Sequence, residues 1–146
     1  MAGPNILLTN DDGIDATGLG VLADALSEIG SVTVVAPADD QSAVGRALSR
    51  SVTVDERDLG YAIDGTPADC VIAGLEALAP ETDLVVAGCN QVANIGAYNL
   101  GRSGTVSAAV EATFFDVPAI AVSMYIPVRE DAAFSDIEAN GDSYGE

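Results

Sequence analysis

Along the chain, short unbroken apolar runs alternate with longer stretches of helical periodicity. Ile6–Thr9, Val32–Ala36, Leu84–Ala87 and Ala119–Val122 read as strands buried on both sides, because no polar residue alternates within them. "GLGVLADALSEIG" places Leu19, Leu22, Leu26 and Ile29 along one helical face and closes on Gly30. Thr66-Pro67 opens a second helix, with Ala68, Val71, Leu75 and Leu78 on one face and Pro80 beyond it. A third runs from Thr105 to about Phe115 and is stopped by "DVP". Val52–Val54 and Tyr61–Ile63 form a small extended pair between the second strand and the second helix.

Strand and helix in alternation predict an α/β fold: a Rossmann-like three-layer sandwich around a mostly parallel sheet. Ligands of such sheets sit beyond the carboxyl ends of the strands. The chemically distinctive residues fall there. Asn10-Asp11-Asp12 follow the first strand, Gln41-Ser42 the second, and Gly88-Cys89-Asn90 the strand at 84–87. Residues 1–123 make one domain. Residues 124–146, "MYIPVREDAAFSDIEANGDSYGE", read as the start of a C-terminal arm that breaks off short.

Charge sharpens this picture. The chain has 23 Asp+Glu against five basic residues, all arginine, for a net charge of −18, and no histidine. Nucleic acid duplexes and anionic membranes are excluded as partners, since phosphate backbones need clustered cations. Such self-repulsion is tolerable at molar salt, where the Debye length is about 3 Å, which suggests a halophilic source. No apolar stretch approaches a membrane span or a secretory h-region, so a cytoplasmic location is expected. Cys70 and Cys89, both in apolar surroundings, are expected as reduced thiols.

Two adjacent aspartates at the mouth of a buried strand require a counter-charge. Hard divalent cations favour carboxylate, amide and hydroxyl oxygens, and Ser42 and Asn90 at the neighbouring strand ends are such donors. Mg²⁺ or Mn²⁺ suits a site without histidine or thiolate better than zinc. A phospho-receiver would need a lysine, which the chain lacks, and an aspartyl-phosphate phosphatase would need D-x-D, whereas Asp12 adjoins Asp11. "GLGVLA", Gly18 to Ala23, fits the G-x-G-x-x-A dinucleotide pattern. It starts eight residues too late, after Asp11, Asp12 and Asp15, and reads as a helix start packed on the sheet. "GRSGTVSAAVEA" puts Ser103, Gly104 and Thr105 ahead of a helix, an anion site by its free N–H groups or, for Thr105, a simple cap. Arg102 beside it favours phosphate, and Asn94 adds an amide nearby.

In order, "ILLTNDDGI", "VTVVAPADDQSAVGRALS", "YAIDGTPADCV", "DLVVAGCNQVANIG" and "SGTVSAAVEATFFDVPAIAVS" resemble the SurE family of stationary-phase survival phosphatases. Val92 stands where that family usually has glycine. The resemblance implies one divalent cation per subunit, Mg²⁺ or Mn²⁺, held by Asp11, Asp12, Ser42 and Asn90. It implies hydrolysis of nucleoside 5'- or 3'-monophosphates by metal-activated water, with Asp11, Asp12 and Asn90 catalytic. Asn10, Gly13, Asn94, Ser103, Gly104 and Thr105 are the expected substrate contacts. A catalytically silent nucleotide- or metal-binding module is the alternative. A homodimer or larger homo-oligomer is expected from Phe114, Phe115, Met124, Tyr125 and Ile126, an apolar set near the chain's end.

The charge balance yields a first test. Thermal melting should show a midpoint that rises from dilute buffer to molar KCl, and greater stability in dilute buffer would refute the halophilic reading.

Overall fold

The computed structural model describes residues 3–125. The expected arm, 124–146, lies outside the described residues apart from Met124 and Tyr125. In chain order the elements are β1 (Asn5–Thr9), α1 (Thr17–Ser27), β2 (Ser31–Pro37), β3 (Val54–Glu56) and β4 (Tyr61–Ile63). There follow α2 (Pro67–Ala73), running on into a π-helical turn at Gly74–Leu78, then β5 (Leu84–Asn90), α3 (Ala97–Leu100), α4 (Gly104–Thr113) and β6 (Ala119–Ser123).

The strands form one sheet of order β3-β4-β2-β1-β5-β6. Every pairing is parallel except β3 with β4. In β1, Ile6 aligns with Val32 on one side and Leu84 on the other, so the first strand is flanked on both edges. Its side chains divide between the faces with the period of two that a strand imposes. Ile6 and Leu8 join Val34, Ala36 and Val86 beneath Leu19 and Ala23 of α1. Leu7 joins Val35, Val85 and Ala87 beneath Cys70 and Val71 of α2 and Ala108 and Ala112 of α4. Leu7 and Leu8 are fully buried, and each such side chain contributes roughly 1.5–3 kcal/mol. This is the three-layer α/β sandwich the sequence predicts. Within it the "GLGVLA" stretch lies in α1, with Gly18, Leu19 and Ala23 against the sheet. Both cysteines are buried and unbridged, and burial raises both thiols above their ordinary pKa.

Three elements differ from the periodicity. The extended pair at 52–54 is displaced to Val54–Glu56, because Val54 pairs with Ile63 and Glu56 with Tyr61 across the antiparallel ladder. β5 runs three residues past Ala87, with an irregularity before Asn90 resumes pairing with Ser123. α3, a single turn, is too short to produce a periodic signal.

The start of α2 is a capping box. Thr66 accepts from the Asp69 N–H at 3.2 Å, and the Asp69 carboxylate accepts from the Thr66 N–H at 2.8 Å. The same two residues reach outward: Asp69 accepts from the Ser49 N–H at 3.0 Å, and the Thr66 hydroxyl donates to the Ala47 carbonyl at 2.7 Å. The long segment after β2 is thereby fastened to α2. Burial pushes the Asp69 carboxyl up, but the hydrogen bonds from Thr66 and Ser49 outweigh it and the net shift is downward.

Asp69→Asn should cost about 2 kcal/mol, since an amide nitrogen would replace one of the two oxygens, each of which accepts an N–H. A carboxyl with a depressed folded pKa stabilises above its unfolded value, and that contribution disappears as pH falls through the folded value. The gap between wild type and Asp69→Asn in urea melts should therefore be largest near neutral pH and close in acid. A gap that widens in acid would contradict this account.

Candidate functional site

The strand order changes direction at β1, with β2 to one side and β5 to the other. The crevice at the carboxyl ends of these strands is where such sheets bind ligands. A cavity of about 470 Å³ opens there, lined in part by Asp11, Asp12, Asp40, Ser42, Asn90 and Asn94. Asn99, Arg102 and Ser103 complete its polar wall. All four expected metal ligands and two of the expected substrate contacts thus share one pocket.

The turn after β1 is set by Asn10 and Gly13. Asn10 is fully buried; its amide donates to the Gly13 carbonyl at 2.8 Å, and its carbonyl oxygen accepts the Gly13 N–H at 3.2 Å. Gly13 has φ +101°, which disfavours any side chain, and its added Cβ would meet the Asp39 backbone at 3.3 Å. These two residues shape the turn that presents Asp11 and Asp12. Gly13 borders an adjacent cavity with Asp12, Asp15, Asp39, Asp40 and Gln91.

Asp11 faces the N-terminus of α4. Its Oδ1 accepts from the Thr105 hydroxyl at 2.7 Å, with both residues buried. A Cβ on Gly104 would lie 2.6 Å from the Asp11 Cβ, so glycine is what lets helix and strand approach this closely. Ser103, not Thr105, caps α4, accepting from the Val106 N–H at 3.1 Å. Thr105 and Gly104 therefore pack against Asp11 and are not among the residues lining the cavity. Sequence reasoning left Thr105 as cap or anion contact because it could not see Asp11 on the opposite side.

Burial is the first cause that raises the Asp11 carboxyl above its ordinary pKa, and the Thr105 hydroxyl opposes it. Asp12 is pushed up to about 6 by burial, then by the negative charges of Asp11 and Asp40. The Oδ2 of Asp12 is buried and has no hydrogen-bond partner. An orphaned anionic oxygen is costly unless a cation completes it. Ser42 donates to Asp40 at 2.6 Å and keeps its lone pairs, while Asn90 donates its amide N–H to the Val92 carbonyl and keeps its carbonyl oxygen. Among the described residues no group of three or more His, Cys, Asp or Glu side chains is placed to hold a metal ion by itself. The donors are instead two carboxylates, a hydroxyl and an amide, the hard-oxygen set that Mg²⁺ or Mn²⁺ takes.

Val92 does not strain its loop. It is not among the residues with positive φ, and its side chain is exposed. Asn94 donates to the Ser123 hydroxyl at 2.7 Å, tying the loop after β5 to β6. Asp40, Gln91, Asn99 and Arg102 also border the cavity, and of these only Arg102 carried a sequence signal. Asp40 adjoins Gln41-Ser42 at a strand end, a position that marks it in retrospect. Asn99 lies on the unforeseen α3.

Fold and site together define an α/β domain with an acidic, hard-oxygen centre at its switch point. The sequence profile described as "Survival protein SurE" matches residues 6–142, and the chain belongs to that family. It is 76% identical to "5'-nucleotidase SurE" of the halophilic archaeon Haloarcula marismortui, over 98% of this chain and 53% of that protein. The same-named protein of Geobacter sulfurreducens is 52% identical over 82% of this chain and 47% of its own length. The crystal structure of the SurE protein from Aquifex aeolicus superposes with a TM-score of 0.79 at 39% identity, covering 93% of this chain and 56% of that one. The chain spans about half the length of the curated relatives it matches.

A carboxyl with a raised folded pKa favours folding below its unfolded value, and that contribution fades as pH rises through the folded value, here about 6 for Asp12. Without divalent cations, Asp12→Asn should therefore melt a few degrees above wild type at pH 7.5, with the difference shrinking toward pH 4. A variant less stable than wild type at pH 7.5 would refute the uncompensated carboxylate.

Proposed function

We propose that this domain is a divalent-metal-dependent phosphomonoesterase that hydrolyses nucleoside 5'- or 3'-monophosphates to nucleoside and phosphate. The observation that carries the reading is the unpartnered, buried Asp12 oxygen beside Asp11, in a cavity that Ser103 at the head of α4 also lines. The printed name of the relatives, "5'-nucleotidase SurE", supports the substrate class.

Asp11, Asp12, Ser42 and Asn90 are the residues that would hold the cation. When bound, Mg²⁺ or Mn²⁺ supplies Lewis-acid polarisation of a phosphate oxygen and offsets charge in the transition state. The chain's own groups do the rest. Ser103, Asn94 and the backbone N–H groups at the head of α4 orient the phosphate oxygens. Asp11, fixed by Thr105, accepts a proton from the attacking water. A new bond forms from the water oxygen to phosphorus as the bond to the nucleoside oxygen breaks in line, and the departing oxygen takes up a proton from solvent. Without histidine in the chain, a Ser-His or Cys-His nucleophile is unavailable.

A phosphate-release panel of nucleoside 5'- and 3'-monophosphates with Mg²⁺ and Mn²⁺ in molar KCl tests the reading. Turnover is expected in wild type, and Asp11→Asn should lower kcat by roughly 100-fold or more while melting as a folded protein. Undiminished hydrolysis in that variant would overturn the role of Asp11. Divalent-dependent stabilisation with no turnover of any nucleotide would favour a silent binding module.

A further inference from the structure

Three of the side chains lining the central cavity are carboxylates: Asp11, Asp12 and Asp40. Arg102 is the one cation among the described residues that line it. The other described arginines with a charged partner are not among the residues lining this cavity. Arg46 pairs with Glu111 at 3.0 Å and covers the Phe114 ring at 4.8 Å, and Arg57 lies 3.8 Å from Asp15.

Arg102 is held in place from two directions. Its guanidinium lies 4.0 Å from the centroid of the Tyr98 ring. Its backbone is fixed as well: the Arg102 N–H donates to the Asn99 carbonyl at 3.0 Å, and its carbonyl accepts from the Gly45 N–H at 3.0 Å. Stacking on an aromatic ring covers one face of a guanidinium and leaves its in-plane N–H edge open. That edge matches two oxygens of a phosphate. Tyr98 is 71% exposed, so the stack stands at the rim and not in the core.

We propose that Arg102, held flat by Tyr98, anchors the anionic end of the substrate in this pocket; the inference rests on the phosphomonoesterase reading above. The charge of the chain makes the requirement acute. With a net charge of −18, the long-range field repels a phosphomonoester dianion. At molar salt that field is screened within about 3 Å, so attraction as well as repulsion acts only at contact. A cation that attracts phosphate under these conditions must touch it, and must already be oriented. Arg102 is the binding residue, and Tyr98 is its positioning residue.

The test uses Arg102→Gln, Arg102→Lys, Tyr98→Leu and Tyr98→Phe in molar KCl with Mn²⁺. Two quantities are read: AMP hydrolysis, and the rise in melting temperature produced by inorganic orthophosphate. Arg102→Gln should raise KM, and the orthophosphate concentration giving half the melting shift, about tenfold or more, with kcat changed less and the ligand-free melt unchanged. Arg102→Lys should recover part of the loss. Tyr98→Leu should raise KM several-fold, and Tyr98→Phe, which keeps the ring, should restore it. Wild-type KM and wild-type orthophosphate protection in Arg102→Gln would overturn the proposal, as would a fall in kcat at unchanged KM. If wild type hydrolyses no nucleotide, the enzymatic reading fails by itself, and the orthophosphate melts still decide whether Arg102 binds the anion.

Discussion

The 2.7 Å hydrogen bond from Thr105 to Asp11 is the contact on which the rest of the site depends. It joins the turn after the first strand to a helix 94 positions later in the chain, with both residues buried. Gly104 permits the approach, Ser103 caps the helix beside it, and Asp12 is left with an oxygen that nothing in the described chain satisfies. A folded domain holds such a group only if its surroundings are stable enough to bear the cost. Here the flanking parallel strands and their two apolar clusters meet that requirement, and in the proposed function a bound cation would offset the cost.

The same division between local and distant causes explains what could be read in the sequence. β1, β2, β4, α1 and α2 follow from runs, periodicity and the Thr66-Pro67 opening, all of which are local. So does the gathering of Asp11, Asp12, Ser42 and Asn90 at one sheet edge, because parallel topology brings strand ends together. The role of Thr105 was not legible, since it depends on a partner across the fold. Asn10 and Gly13 lie within the motif, and their polar groups close on each other, a pairing that residue types alone do not announce. Val92 stands where the family usually has glycine, and it does so without a positive φ.

Electrostatics in this chain work at two ranges. The surface charge sets the salt in which the fold is comfortable, whereas the pocket depends on contacts that salt hardly reaches. Aromatic stacking suits this regime, because it orients a guanidinium without relying on an opposite charge that molar salt would screen. The capping box at Thr66 and Asp69 is of the same kind: two short hydrogen bonds within a buried turn, with two more fastening the loop that carries Ser42.

The position of β1 in the sheet has a bearing on synthesis. It is the first of the described strands to be synthesised, and β2 can join one of its edges soon after. The other edge must wait for β5, which starts at Leu84. At 5–20 residues per second that is an interval of about ten seconds. Through it, Ile6, Leu7 and Leu8 present an open strand edge of the kind that pairs with other chains. Asp11 and Asp12 follow that edge directly, two like charges at its end that a second copy would have to stack against its own. The pair that later makes the pocket also guards the nascent strand.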